Sequence, residues 1–141
     1  MTLFHKIACT LGLALALGNA AAHAEVVPVV SNRSALTELN SRQVADIFLG
    51  KLNRFNGETV EPIDQAEGSQ TRDEFYLKYA DKSSAQVKAH WSKIIFTGRG
   101  KPPKNVGSHA EVKKHLAANP NAIGYIDAKA VDDSVRVLQI D

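Results

Sequence analysis

From residue 25 onward the apolar residues keep changing period, and that alternation is what most limits the fold. Val26-Val27-Pro28-Val29-Val30 is a short β-rich run, and its proline predicts an edge strand or the start of one. Asn40 then stands as an N-cap with Gln43 at the capping-box position. Val44, Ile47 and Phe48 share one helical face, Leu36 and Leu39 lead in, and Gly50 stops the helix. Asn56-Gly57 is a tight-turn pair ahead of a strand over residues 59–64. Phe75, Tyr76 and Tyr79 mark a second helix. Val87, Trp91, Ile94 and Ile95 mark a third, ending near Gly98. Gly100-Lys101-Pro102-Pro103 is a loop, Ser108 and Glu111 form another capping box, and Asn119-Pro120-Asn121 ends the fourth helix. Residues 122–126 and 135–140 read as strands. About four strands alternating with helices predict an α/β layer, a small mixed sheet flanked by helices.

The first residues stand outside this pattern. Lys6 precedes an apolar run over 7–17, and Ala22-His23-Ala24 follows as a small-x-small site. That is the layout of a secretory signal, with an apolar run too short to cross a bilayer. The expectation is a signal peptide over 1–24, cleavage after Ala24, one domain over 25–141 and a periplasmic location. Cys9 precedes most of the apolar run, so it does not read as a lipoprotein cysteine. It is the single cysteine of the chain, so the exported part has no disulfide to staple it and needs an ordinary core. Without Lys6, 16 Lys+Arg face 15 Asp+Glu, a net charge near +1, with the signs interspersed. This argues against nucleic acid as a partner and against a membrane-surface partner. No membrane insertion is expected after signal cleavage.

Residues 64–75, DQAEGSQTRDEF, pose the functional question. Thr71 and Glu74 form a capping box, which predicts a helix starting there. Gly68 permits close backbone approach, Ser69 and Thr71 bring hydroxyls, and bare N–H groups at a helix start attract anions. Arg72 adds charge or points to solvent. The local pattern fits an anion cradle, and it fits a helix start that caps only itself. Glu67, Asp73 and Glu74 oppose an anion by crowding the loop.

Other constellations are sparse. His109 and His115 do not share a helical face and no Cys joins them, so no metal site is expected. No nucleophile elbow or catalytic dyad is visible, so the chain does not read as an enzyme, and no cofactor is implied. Trp91 lies in phase with Val87, Ile94 and Ile95 and reads as core. Arg99, Lys101 and Lys104 read as a solvated basic loop that could touch an anion or a partner.

Three segments carry a resemblance. LNSRQVADIFLGK over 39–51 resembles an "L-T-x-x-Q-L-x-D-I-F-x-G-K" helix. EGSQT over 67–71 resembles a "D-G-S-G-T" anion loop, and NPNAIGYI over 119–126 resembles an "x-P-G-A-I-G-Y-V" strand. In that order they are similar to the periplasmic phosphate-binding proteins of ABC transporters, in the type II periplasmic binding superfamily. The resemblance implies a single lobe of that fold, with phosphate or a related small oxyanion held by Gly68, Ser69, Gln70, Thr71 and Arg72. It implies a role in phosphate transport or sensing. Two departures stand out. Gln70 replaces a loop glycine, and Gln65 replaces an arginine four residues before the loop serine. The opposing lobe is also missing, so a second reading is an interaction or signalling protein whose exposed face recruits a transport component, a sensor domain or a second copy.

Overall fold

The computed structural model describes residues 25–141; the expected signal segment over 1–24 lies outside the described residues. In chain order the elements are β1 (Val26–Ser31), β2 (Glu38–Leu39), α1 (Ser41–Phe48), β3 (Arg54–Phe55), β4 (Glu58–Thr59), β5 (Glu61–Gln65), α2 (Gln70–Ala80), α3 (Ser84–Phe96), β6 (Lys104–Val106), α4 (His109–Ala118), β7 (Ala122–Asp127), a short 3₁₀ turn (Ala128–Ala130), β8 (Val135–Val137) and β9 (Gln139–Ile140). Five strands form the main sheet in the order β6-β5-β7-β1-β8. β5 runs parallel to β6 and β7, and β1 runs antiparallel to β7 and β8, so the sheet is mixed.

Alternation along each strand builds two cores. On β7, Ile123 and Tyr125 face α1, α2 and α3, where Phe48, Phe75, Tyr76, Val87 and Trp91 are buried. Ala122 and Ile126 face the other way, onto Val112 and Leu116 of α4, with Val29 and Ile63. Tyr125 stacks on Phe75 at 3.9 Å between centroids, and Phe48 meets Phe75 edge-on at 4.7 Å.

Several local expectations hold. Asn40 and Gln43 make a full capping box, and Gly50, at φ +75°, follows the end of α1. Asn56 and Gly57 both take positive φ in the β3–β4 hairpin, as a primed turn requires. Three expectations are corrected. β1 is interior, not an edge strand. Pro28 is tolerated because it sits where the β8 ladder runs out, its carbonyl accepting from the Leu138 N–H at 2.9 Å. The last strand is two pieces, β8 and β9, the second pairing with β2. α2 is capped by Ser69, not Thr71, because the Ser69 Oγ accepts from the Arg72 N–H at 3.1 Å.

Gly124 is where α4 reaches the sheet. A Cβ there would lie 2.6 Å from the Val112 Cγ1. Gly124→Ala should therefore destabilise the fold by about 1–3 kcal/mol through overpacking. Urea unfolding measures this, and a change below about 0.5 kcal/mol, the scatter of neutral surface changes, contradicts the close approach.

Candidate functional site

β5 ends in three residues that alternate across the sheet. Ile63 packs toward α4, Asp64 turns to the α2 side, and Gln65 turns back toward the start of α4. Asp64 is 1 % exposed. Burying a carboxylate costs several kcal/mol unless donors replace its water. Here they do. The Tyr76 hydroxyl donates to Oδ2 at 2.6 Å, the Tyr125 hydroxyl donates to Oδ1, and the Gln65 N–H donates to Oδ1 at 2.8 Å. The Arg72 Nε lies 3.5 Å from Oδ1 without a hydrogen bond of its own, and its guanidinium lies 5.0 Å from the Tyr76 ring centroid. Burial, then the Asp64 charge and its hydrogen bond, push both tyrosine hydroxyls far above the ordinary phenol range.

Gln65 has a separate task. Its Nε2 donates to the Tyr125 carbonyl at 2.8 Å and lies 3.3 Å from the His109 Nδ1. The side chain standing where the resembled family has arginine is thus committed to β7 and α4.

Beyond β5 the chain turns through Ala66, Glu67 and Gly68, all exposed, into the Ser69 cap. Gly68 adopts φ +88° with nothing within 4 Å of the place a Cβ would occupy. The loop needs glycine for its backbone angle, and the space above it is open. The Ser69 N–H bonds to the Ala66 carbonyl at 3.1 Å, and the Asp73 N–H bonds to the Ser69 carbonyl at 3.1 Å. The Gln70 and Thr71 N–H groups have no acceptor among the described residues, as the first turn of a helix leaves them. Of the five residues singled out from sequence, Gly68, Ser69, Gln70 and Thr71 line this open helix start. Arg72 lies beneath it, folded against Asp64 and Tyr76. Glu67 pairs with Lys88 at 3.8 Å and Glu74 accepts from Gln70 Nε2 at 2.8 Å, which draws both carboxylates into local partnerships.

Sequence reasoning missed the Asp64–Tyr76–Tyr125–Arg72 cluster. The signal available was a carboxylate in the inward phase of a strand, with Tyr76 one turn after Arg72. None of the larger concavities includes this loop: one of about 240 Å³ lies beside Leu36 and Phe55, one of about 340 Å³ beside Tyr79 and Val137, and one of about 800 Å³ beside Leu52 and Ile94. Among the described residues, no helix is long and apolar enough to cross a membrane.

The raised tyrosines set a pH dependence. A group whose pKa is higher folded than unfolded stabilises fully below its unfolded value, here 10.0, and loses that stability as pH rises past it. With two such groups, unfolding free energy should fall above pH 10 by up to about 2.7 kcal/mol per pH unit from these phenols. Tyr125→Phe should remove about half of that slope. Urea unfolding across alkaline pH measures it, and an unchanged slope in the variant contradicts the assignment.

No protein-family model matches the chain, and no curated protein matches it. Solved structures do. An ABC-type phosphate transport receptor from Vibrio cholerae superposes with TM-score 0.65 at 21 % identity, over 82 % of this chain and 45 % of that one. A protein from Clostridium perfringens, assigned as a phosphate ABC transporter substrate-binding protein and solved with bound phosphate, gives 0.66 at 23 %, over 82 % and 44 %. PstS from Borrelia burgdorferi gives 0.54 at 14 %, over 82 % and 47 %. This chain spans less than half the length of each of these structures. At such identities the likeness is one of fold. The chain has the α/β fold of phosphate ABC transporter substrate-binding proteins, as a single lobe covering less than half of their length.

Proposed function

We propose that this is a secreted, non-catalytic solute-binding-like protein that takes phosphate or a related small oxyanion at the start of α2, in phosphate transport or sensing. The observation that carries the reading is the pair of unpartnered N–H groups on Gln70 and Thr71, at the loop that resembles a phosphate loop. The hydroxyls of Ser69 and Thr71 are the further donors, and Gly68 keeps the approach open. Arg72 contributes a positive field from beneath, largely neutralised by Asp64. Charge-assisted bonds are about twice as strong as neutral ones, so a cradle of amides and hydroxyls alone binds weakly. Export through a cleaved signal over 1–24 places this site in the periplasm.

Nuclear magnetic resonance titration of the purified protein with phosphate and sulfate tests the site. The expected result is a saturable shift of the Gly68, Gln70 and Thr71 amides, weakened roughly fivefold in Thr71→Val by loss of one hydrogen bond of about 1 kcal/mol. No saturable shift at these amides with either anion overturns the reading.

A second reading, a protein that binds a partner or itself, is favoured by Phe96. It is 92 % exposed at the end of α3, with Ile95 beside it and Leu77 exposed on α2. Light scattering separates the self-association form of this reading: a dimer that Phe96→Asp dissociates supports it, and a monomer removes it.

A further inference from the structure

A cavity of about 800 Å³ opens at the end of the sheet opposite the α2 start. It lies at the N-terminal ends of β5 and β6, so the five residues of β5, spanning about 13 Å, separate the two places. Its apolar floor is the half-buried Leu52 after α1 and Ile94 on α3, lying over the buried Leu49 and Trp91. Four cations line the same space: Lys51, Arg99, Lys101 and Lys104. Among the described residues, none of the four has a carboxylate within ion-pair distance. The lining carboxylate, Glu61, already accepts from Asn119 Nδ2 at 2.7 Å. Like charges gathered around one concavity repel each other unless an anion lies among them.

The backbone that presents Arg99, Lys101 and Lys104 is held at both ends. α3 ends with the Gly98 N–H bonded to the Ile95 carbonyl at 3.1 Å and the Arg99 N–H bonded to the Ile94 carbonyl at 3.1 Å. At the other end of the segment, Lys104 is held in register with Ile63 on β5. Pro102 and Pro103 stiffen what lies between.

We propose that this cleft binds an amphipathic organic polyanion, a small molecule with an apolar or aromatic body and at least two negative groups. The cavity falls within the roughly 300–1,000 Å³ usual for small-molecule sites. A free phosphate would satisfy some of the charge and leave the Leu52 and Ile94 surface wet. A neutral apolar ligand would leave the cations without a counter-charge. Only a ligand with both features answers both walls of the cleft. This site is separate from the α2 start and does not depend on phosphate binding there.

Trp91 is the single tryptophan of the chain, so its fluorescence reports on this cleft. Naphthalene disulfonate titrated into the purified protein should quench it saturably, and unsubstituted naphthalene should not. The Arg99→Ala/Lys101→Ala variant should bind the disulfonate about tenfold more weakly or worse, since each lost charged contact is a large part of that factor. Added salt should weaken binding further. An equal concentration of inorganic phosphate should not displace the probe. Lys51→Ala/Lys104→Ala gives the same measurement if the first variant does not fold, as judged by circular dichroism. Non-saturable quenching, equal affinity for naphthalene, wild-type affinity in a folded charge variant, or displacement by equimolar phosphate each overturns the proposal.

Discussion

The Asp64 carboxylate holds together the end of the sheet where α2 begins. It is buried at the last turn inward of β5, and its acceptors are met from three directions: Tyr76 on α2, Tyr125 on β7 and the backbone of Gln65. Removing one partner of a buried charge costs about 3–5 kcal/mol, because the remainder is left unsatisfied in a medium that solvates it poorly. That penalty fixes the angle at which α2 leaves the sheet. The Phe75–Tyr125 stack beneath it fixes the depth. With both in place, the Ser69 cap stands at the strand end with its first amides facing outward.

The same cluster limits what the site can do. Arg72 is the cation nearest the helix start, and its charge is matched by Asp64 at 3.5 Å. Gln65 holds the β7 backbone and approaches His109, so it supplies structure at a position where the resembled family supplies charge. What the open helix start presents is therefore a helix dipole, two amides and two hydroxyls. A helix terminus contributes roughly 0.3–1 kcal/mol to a nearby charge at an exposed site. The larger share of binding in a two-lobed clamp would come from an opposing surface, and this chain spans less than half the length of the structures it matches.

Much of the scaffold was legible in the sequence because it rests on local chemistry. Asn40 with Gln43, Asn56-Gly57 and the phase of Val87 and Trp91 each specify a turn or a face within a few residues. The Ser83–Gln86 capping box at the start of α3 is equally local. The α2 start was misplaced by two residues because Ser69 and Thr71 are both good caps. The choice between them is made by the Asp64 cluster, which positions Arg72. Non-local features were not legible. Whether β1 is interior depends on β8, more than a hundred residues later, and a three-residue strand such as β6 carries too little pattern to be seen. Of the candidate site, the loop residues could be read directly. The burial of Arg72 could not, because it depends on a carboxylate and two tyrosines brought together by three elements.

Amide hydrogen exchange, resolved residue by residue in the ligand-free protein, tests this account most directly. The account predicts slow exchange at Gln65 and Arg72, whose N–H groups are held by Asp64 and Ser69, beside fast exchange at Gln70 and Thr71. Protection of Gln70 and Thr71 without ligand, or fast exchange at Gln65, would contradict it.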